Sequence, residues 1–205
     1  VRVARALDLD SDSQLAASVL SKKVAAGSTH VVIDIPVGPT AKVRTVEAAH
    51  TVARLLERVG SEVGLAIRTV LTDGTQPVGR GIGPALEGRD VVAVTRGDRD
   101  APTDLRDRAV LLAGEVLELA GASPAGSGAL HAHAILADGR AWRKLQAICE
   151  AQGGMRTPPV STQRFEVGAS ATGTITGIDN RRLARAAKLA GAPWDLAAEI
   201  GRAHV

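Results

Sequence analysis

The first third of the chain alternates helical and strand-like patterns of apolar residues. Residues 13–26 place alanine, leucine and valine between a serine-containing start and Gly27, which predicts a helix that ends at the glycine. Residues 30–35 form a nearly continuous apolar run, which is typical of a strand covered on both faces. Residues 36–40 are predicted to end this strand, because two prolines there lack the N–H groups of a ladder.

The same alternation repeats once. Residues 45–59 predict a second helix with Thr45 as its N-cap, Glu47 in its first turn and Gly60 after its end, and residues 62–71 predict a second buried strand. Strand, helix and strand joined by short connections form a βαβ unit. We therefore expect an α/β fold with a partly parallel sheet flanked by helices.

The remaining two thirds carry mainly helical patterns. Residues 90–94 (DVVAV) predict a third strand, whereas apolar residues at helical spacing predict a long helix from Pro102 to Gly121 and two further helices within residues 129–152. Past a boundary near Pro158 and Pro159, the pattern predicts short strands at 164–167 and 172–178 and a helix at 181–189.

The amino-acid composition narrows the classes of protein to which this chain can belong. The 205 residues are 45 % hydrophobic and 23 % charged, and no apolar run reaches the roughly 18–20 residues of a membrane span, so we expect no membrane partner. Three aromatic residues leave little surface on which bases could stack, and the net charge of +3 is dispersed, so we expect no nucleic-acid partner. A single cysteine, Cys149, excludes a disulfide within the chain and predicts a reducing, cytoplasmic location.

Three aspartates precede the first predicted helix. Asp8, Asp10 and Asp12 alternate, but a calcium loop that started at Asp8 would need glycine at Ser13 and glutamate at Val19. Asp12 is more simply interpreted as a helix cap. Asp10 lies far enough from that cap to have another role.

Two lysines and a serine are candidate ligand-binding residues. Ser18 and Lys22 lie four residues apart, so on a helix they share one face and could hold the same base carbonyl or phosphate. Lys42 follows a turn at the expected carboxyl end of a strand, where open α/β sheets bind their ligands. A solvated polar surface remains the alternative for all three residues.

Two other motifs predict no site. The glycine-rich segment 79–83 has G-x-G-x-G spacing, which matches neither the P-loop nor the dinucleotide fingerprint, and it predicts a tight backbone turn. His131 and His133 lie two residues apart in a predicted helix and hence on different faces, so we expect no metal site there.

Three stretches of the sequence resemble one enzyme family. They are residues 13–43 (SQLAASVLSKKVAAGSTHVVIDIPVGPTAKV), 71–91 (LTDGTQPVGRGIGPALEGRDV) and 150–154 (EAQGG). They are similar to the thymidine phosphorylase and AMP phosphorylase family of nucleoside phosphorylases, and the resemblance covers roughly residues 2–192. The segment IDIPVGPTAKV resembles the AMP phosphorylase branch, whereas ordinary thymidine phosphorylases carry a lysine in the place of Pro36.

The resemblance implies a pentosyltransferase. Such an enzyme cleaves the glycosidic bond of a nucleoside or nucleotide with inorganic phosphate as co-substrate, without a cofactor, and releases a free base and a sugar 1-phosphate. By resemblance, Asp10 matches the proton donor of AMP phosphorylases, and Ser18 and Lys42 match nucleotide-binding positions. Lys22, with Ser18, matches the pair that holds the pyrimidine in thymidine phosphorylases, and Arg2 matches a base-binding arginine after a one-residue insertion. A homodimer or higher homo-oligomer is also implied.

The resemblance sets expectations for domain organisation. Residues 1–157 are expected to be part of the α and α/β domains and to include the second half of the phosphorylase α/β domain. Residues 158–193 would start a small α+β C-terminal domain, and residues 194–205 (WDLAAEIGRAHV) would be a tail outside the family. The phosphate-binding segment of the family precedes everything in this sequence, so we expect a fragment that lacks the N-terminal half and is inactive alone.

Two other classes of function stay open. An anthranilate phosphoribosyltransferase-like enzyme would share the fold but act on a pyrophosphorylated ribose with magnesium, and the sequence shows no acidic metal pair for it. A non-catalytic binding or dimerisation module would instead use the aliphatic helices to pack on a second copy.

Overall fold

The computed structural model describes residues 12–201. The helices are α1 (Asp12–Ala25), α2 (Val46–Glu62), α3 (Pro84–Arg96), α4 (Thr103–Leu119), α5 (Gly128–Ala137), α6 (Arg140–Ala151) and α7 (Asn180–Ala190). The strands are β1 (His30–Val37), β2 (Ala66–Asp73), β3 (Gly81–Ile82) and β4 (Ile200–Gly201). The described chain divides into two compact units, residues 12–74 with 112–129 and residues 75–111 with 130–201.

The first unit contains the predicted βαβ unit. β1 and β2 pair in parallel, with a register that runs from His30 opposite Ala66 to Val37 opposite Asp73. Thr45 caps the intervening helix as predicted, because its hydroxyl accepts a hydrogen bond from the amide of Ala48 at 3.2 Å. An α/β fold with a partly parallel sheet flanked by helices is thereby confirmed.

Aliphatic side chains of α1, α2, β1 and the entry to β2 form the core of the first unit. Its buried members are Ala16, Leu20, Val31, Ile35, Ala49, Val52, Ala53, Leu56 and Leu65. Because side chains alternate across a strand, Val31 and Ile35 face this core while Asp34 and Pro36 lie on the other face of the sheet.

Helix α2 ends three residues later than the sequence predicted. Gly60 was expected to terminate it, but Gly60 lies inside the helix and is buried. A Cβ atom on Gly60 would come within 2.0 Å of Cδ1 of Ile67, so the glycine allows α2 to pack closely on β2. The helix therefore continues to Glu62, and β2 begins at Ala66 rather than at residue 62.

The predicted third strand is wrong. Residues 90–94 lie within α3, which begins at Pro84 and ends at Arg96, followed by a C-cap, Gly97, in the left-handed conformation with φ of +76°. The apolar run is short and cannot by itself distinguish a strand from a helix, whereas these end signals define a helix of 13 residues.

The strands predicted at 164–167 and 172–178 are also wrong, because residues 153–179 contain no helix or strand. Phe165 is 89 % exposed and Val167 is 96 % exposed. A strand requires a neighbouring strand for its hydrogen bonds and a surface on which its apolar side chains can pack. Within residues 12–201, the segment 164–167 pairs with no strand, and its apolar side chains are almost fully exposed.

The second unit contains α3, α6, α7, β3 and β4, whereas α4 and α5 each have residues in both units. α3 packs against α6, and β3 pairs with β4 in antiparallel orientation. Glu199, next to β4, accepts hydrogen bonds from the amide of Leu86 at 2.5 Å and from the guanidinium of Arg89 at 3.2 Å. The helices predicted after residue 102 are confirmed as α4 to α7. The boundary at residues 157–158 stays a prediction.

None of the helices within residues 12–201 is long and apolar enough to cross a membrane.

Candidate functional site

The carboxyl ends of β1 and β2 meet at one edge of the first unit. Val37 and Asp73 are the last register partners, and the amide of Gly74 donates to the carbonyl of Val37 at 2.9 Å. Pro36 has no N–H, but adjacent residues direct their backbone groups alternately, so Val37 and not Pro36 faces β2 here. The proline is thus accommodated on β1 without loss of a β1–β2 hydrogen bond.

Lys42 lies on a tight turn at this edge. The amide of Gly38 donates to the carbonyl of Val43 at 3.1 Å, and the amide of Ala41 donates to the carbonyl of Gly38 at 3.0 Å. Val37 and Val43 also form an isolated parallel bridge. Lys42 is exposed, and its ammonium group has no hydrogen-bond or ion-pair partner within residues 12–201. The prediction that Lys42 lies at the carboxyl end of a strand is confirmed.

The start of α2 adds charge beside this turn. Arg44 is exposed, so two cations, Lys42 and Arg44, flank the half-buried Val43. Glu47 follows in the first turn of α2, and hydrogen bonds from its own amide and from the Thr45 hydroxyl lower the pKa of its carboxyl group. The turn can therefore present positive charge to an anion while Glu47 stays ionised at the helix start.

A hydroxyl–carboxylate pair lies on the face of the sheet opposite the core. The hydroxyl of Thr72 donates to Oδ1 of Asp34 at 2.5 Å, and both residues are half-buried. Neither was predicted as a site residue, because Asp34 stands alone in a nearly continuous apolar run and Thr72 lies 38 positions away along the chain. A carboxylate within the apolar run of β1 was the available signal, but it does not reveal the strand register that joins Asp34 to Thr72.

Ser18 and Lys22 share one exposed face of α1. Ala16 and Leu20 point into the core, and helical periodicity places Ser18 and Lys22 on the opposite side. Four residues of helix separate them by about 6 Å along the axis. Within the described residues, no hydrogen bond or ion pair joins either of them to Lys42. The structure thus groups Ser18 with Lys22 and leaves Lys42 on a separate segment of the same unit.

Two of the predicted site residues, Arg2 and Asp10, lie outside the described residues. Their proposed roles rest on the sequence resemblance alone.

The glycine-rich segment has its amides bound by carboxylates. Oδ2 of Asp90 accepts from the amides of Arg80 at 2.7 Å and Gly81 at 3.1 Å. The amide of Gly79, whose φ is +82°, donates to Oδ2 of Asp104 at 3.3 Å. These contacts confirm a tight backbone turn, and they occupy the amides that a phosphate-binding loop would offer.

The second unit also contains a shallow groove of about 300 Å³, which holds none of the predicted site residues. It is lined by Pro77, Val78, Gly81, Ile82, Glu87, Asn180, Leu183 and Ala184.

His131 and His133 lie on α5, the first half-buried and the second exposed.

An ion cluster on the first unit stabilises the end of α4. Arg68 on β2 donates to Glu115 at 2.7 Å, and its guanidinium lies 3.6 Å from Glu118. This hydrogen bond raises the pKa of Arg68. Hydrogen bonds from the amides of Gly128 and Gly126, together with Arg68, lower the pKa of Glu118. The cluster belongs to the packing of the unit and contains none of the predicted site residues.

Curated relatives match nearly the whole chain. It is 63 % identical over 200 residues to "Putative thymidine phosphorylase 1" of Acidovorax sp. (strain JS42), and 64 % identical to "Putative thymidine phosphorylase" of Polaromonas sp. (strain JS666 / ATCC BAA-500). A protein of Maricaulis maris (strain MCS10) with the same name is 58 % identical. Each match covers 98 % of this chain, so most of residues 194–205 lie within the matched part.

The chain spans about two fifths of the length of these relatives, since the matches cover 38–39 % of them. No family model matches the chain. Identity of this order over 200 residues reflects common descent. The chain is therefore a homologue of part of these proteins, each named putative thymidine phosphorylase, and it matches about two fifths of their length.

Proposed function

We propose that this chain supplies the substrate-recognising part of a pentosyltransferase that cleaves a glycosidic bond with inorganic phosphate. The observation that carries the proposal is the 63 % identity over 200 residues to a relative named "Putative thymidine phosphorylase 1". The position of Lys42 agrees with it, because open α/β sheets bind ligands beyond the carboxyl ends of their strands.

The proposed reaction assigns a role to each predicted residue. A phosphate oxygen forms a bond to the anomeric carbon as the bond from that carbon to the base nitrogen breaks, and the electron pair leaves with the base. The departing base requires a proton, for which Asp10 is the proposed donor. Ser18 and Lys22 would bind the base from α1, and Arg2 would bind it from the preceding segment.

A nucleoside 5′-monophosphate is the proposed substrate. The stretch IDIPVGPTAKV resembles the AMP phosphorylase branch, and it ends at the turn that carries Lys42. The ammonium of Lys42 lacks a protein partner among the described residues, so it can form a charge-assisted hydrogen bond with a substrate phosphate. A neutral nucleoside would lose that contact.

The remaining proposals concern the assembled enzyme. We expect no cofactor besides phosphate, a homodimer or higher homo-oligomer, a cytoplasmic location, and no activity of the 205-residue chain alone. Light scattering of the complete gene product tests the oligomer directly.

The test is base release by the complete gene product that contains this chain. AMP, other nucleoside 5′-monophosphates, thymidine and uridine are each incubated with and without phosphate, and free base and pentose 1-phosphate are quantified. We expect release that requires phosphate, with kcat/KM for a monophosphate at least tenfold above that for thymidine. Release without phosphate, or turnover only with a pyrophosphorylated ribose and magnesium, would contradict the proposal. No turnover at all would support a non-catalytic module.

A further inference from the structure

We propose that Thr72 and Asp34 are positioning residues that hold the Lys42 turn in the geometry needed to bind a substrate phosphate. This inference rests on the proposed function, since it concerns the same site.

The first step is how the turn is attached. The hydrogen bond from Gly38 to Val43 closes the turn, and the bridge between Val37 and Val43 joins its far end to the last residue of β1. Lys42 is adjacent to Val43. A displacement of the end of β1 therefore displaces the backbone of Lys42.

The second step is how the end of β1 is fixed. The ladder reaches Val37 opposite Asp73, and the Gly74 amide extends it by one hydrogen bond to Val37. A Cβ atom on Gly74 would lie 3.0 Å from the carbonyl carbon of Pro36 and from the amide nitrogen of Val37. The close approach of β2 to β1 at this point leaves little room for either strand to shift.

The third step is the side-chain bond between the two strands. Thr72 is the register partner of Pro36, and its hydroxyl donates to Asp34 at 2.5 Å. A hydrogen bond to a charged acceptor is stronger than a neutral one. It lies within three residues of the end of each strand, so it restrains the segment from which the Lys42 turn starts.

The experiment is a double-mutant cycle in the complete gene product, with KM and kcat for a nucleoside 5′-monophosphate as readouts. Thr72→Val keeps the shape of the side chain and removes the hydroxyl. We expect KM to rise about tenfold with less than a twofold change in kcat. Thr72→Ser retains the hydroxyl and should restore KM to within twofold of the wild-type value. In a Lys42→Ala background, Thr72→Val should add less than a twofold change, because it acts through Lys42.

Thr69→Val is the matched control on the same strand. The Thr69 hydroxyl also donates to a carboxylate, that of Glu57 at 2.6 Å, but it lies away from the turn. We expect no change in KM for this variant. Should Thr72→Val fail to fold, Asp34→Asn tests the same bond, since the amide oxygen still accepts the hydroxyl but without charge; KM should then rise about threefold.

The outcomes separate the two proposals. If Lys42→Ala leaves the KM for the monophosphate unchanged, the proposed role of Lys42 fails, and this inference fails with it. If Lys42→Ala raises KM but Thr72→Val and Asp34→Asn do not, only this inference is wrong. Additive effects in the cycle, or a Thr72→Ser variant as weak as Thr72→Val, would likewise overturn it.

Discussion

At the scale of single residues, the close contact between the carboxyl ends of β1 and β2 depends on one glycine without a Cβ atom and on one side-chain hydrogen bond. Gly74 lacks the Cβ that would press on Pro36, and Thr72 reaches Asp34 across the strands. Spacing along the sequence predicted the places of Ser18 and Lys22 on one helix face and of Lys42 after a strand, because helix periodicity and the end of a strand are local properties of the sequence. It could not predict the Thr72–Asp34 pair, because the strand register that joins them is a property of the sheet.

Gly74→Ala is expected to destabilise the first unit. The new Cβ would meet backbone atoms at 3.0 Å, which cannot move aside as a flexible side chain can, so we expect a loss of about 1–3 kcal/mol in the free energy of unfolding. Urea denaturation of both proteins measures it. Gly177→Ala is the control, because a Cβ there meets nothing within 4 Å. Equal stability of wild type and Gly74→Ala would show that the edge is looser than described.

Asp10 and Ser18 are expected to differ in the kinetic parameter that they affect. A proton donor acts as the bond breaks, so Asp10→Asn should lower kcat by about 10²–10⁴-fold with a modest change in KM. Ser18 is exposed on α1 and would bind substrate, so Ser18→Ala should raise KM more than it lowers kcat. Steady-state kinetics and thermal midpoints of both variants decide this. An Asp10→Asn enzyme with normal kcat and a lowered midpoint would assign the residue to the helix start.

At the scale of elements, long periodic segments were predictable and short apolar runs were not. α4 spans 17 residues, and several turns of periodicity made it unambiguous. The run at 90–94 was too short, and the end signals at Pro84 and Gly97 outweighed its β-branched residues. Residues 164–167 have the alternation of a strand, but alternation creates no strand without a partner.

The stabilisation of α4 by Glu118 is expected to depend on pH. Hydrogen bonds from Gly128 and Gly126 lower the pKa of Glu118 below its ordinary value of 4.5, so its contribution is complete above pH 4.5 and is lost as the pH falls through the lowered pKa. Glu118→Gln should therefore have a lower thermal midpoint than the wild type at pH 7, and the difference should shrink below pH 4.5. Glu150→Gln, at an exposed position on α6, should show no such change. A difference independent of pH would contradict the assignment.

At the scale of the whole molecule, this chain corresponds to only part of the length of its relatives. The chain holds the parallel pair, the Lys42 turn and the exposed face of α1 within one compact unit. The match covers 98 % of this chain but only 39 % of the Acidovorax relative, so the activity of a complete enzyme is a proposal. The resemblance could be predicted from three sequence stretches, because a relative that is 63 % identical over 200 residues shares local motifs with this chain.

The central claim is that Lys42 recognises the 5′-phosphate of the substrate of a phosphorolytic enzyme. The most direct measurement is kcat/KM for phosphate-dependent base release from AMP and from adenosine, with the complete gene product as wild type and as Lys42→Ala. Loss of a charge-assisted hydrogen bond should lower kcat/KM for AMP by about 10–100-fold and leave the value for adenosine within about twofold. Lys23→Ala, which removes an exposed lysine on α1, controls for the loss of charge. An equal loss on both substrates, or no loss on AMP, would contradict the account.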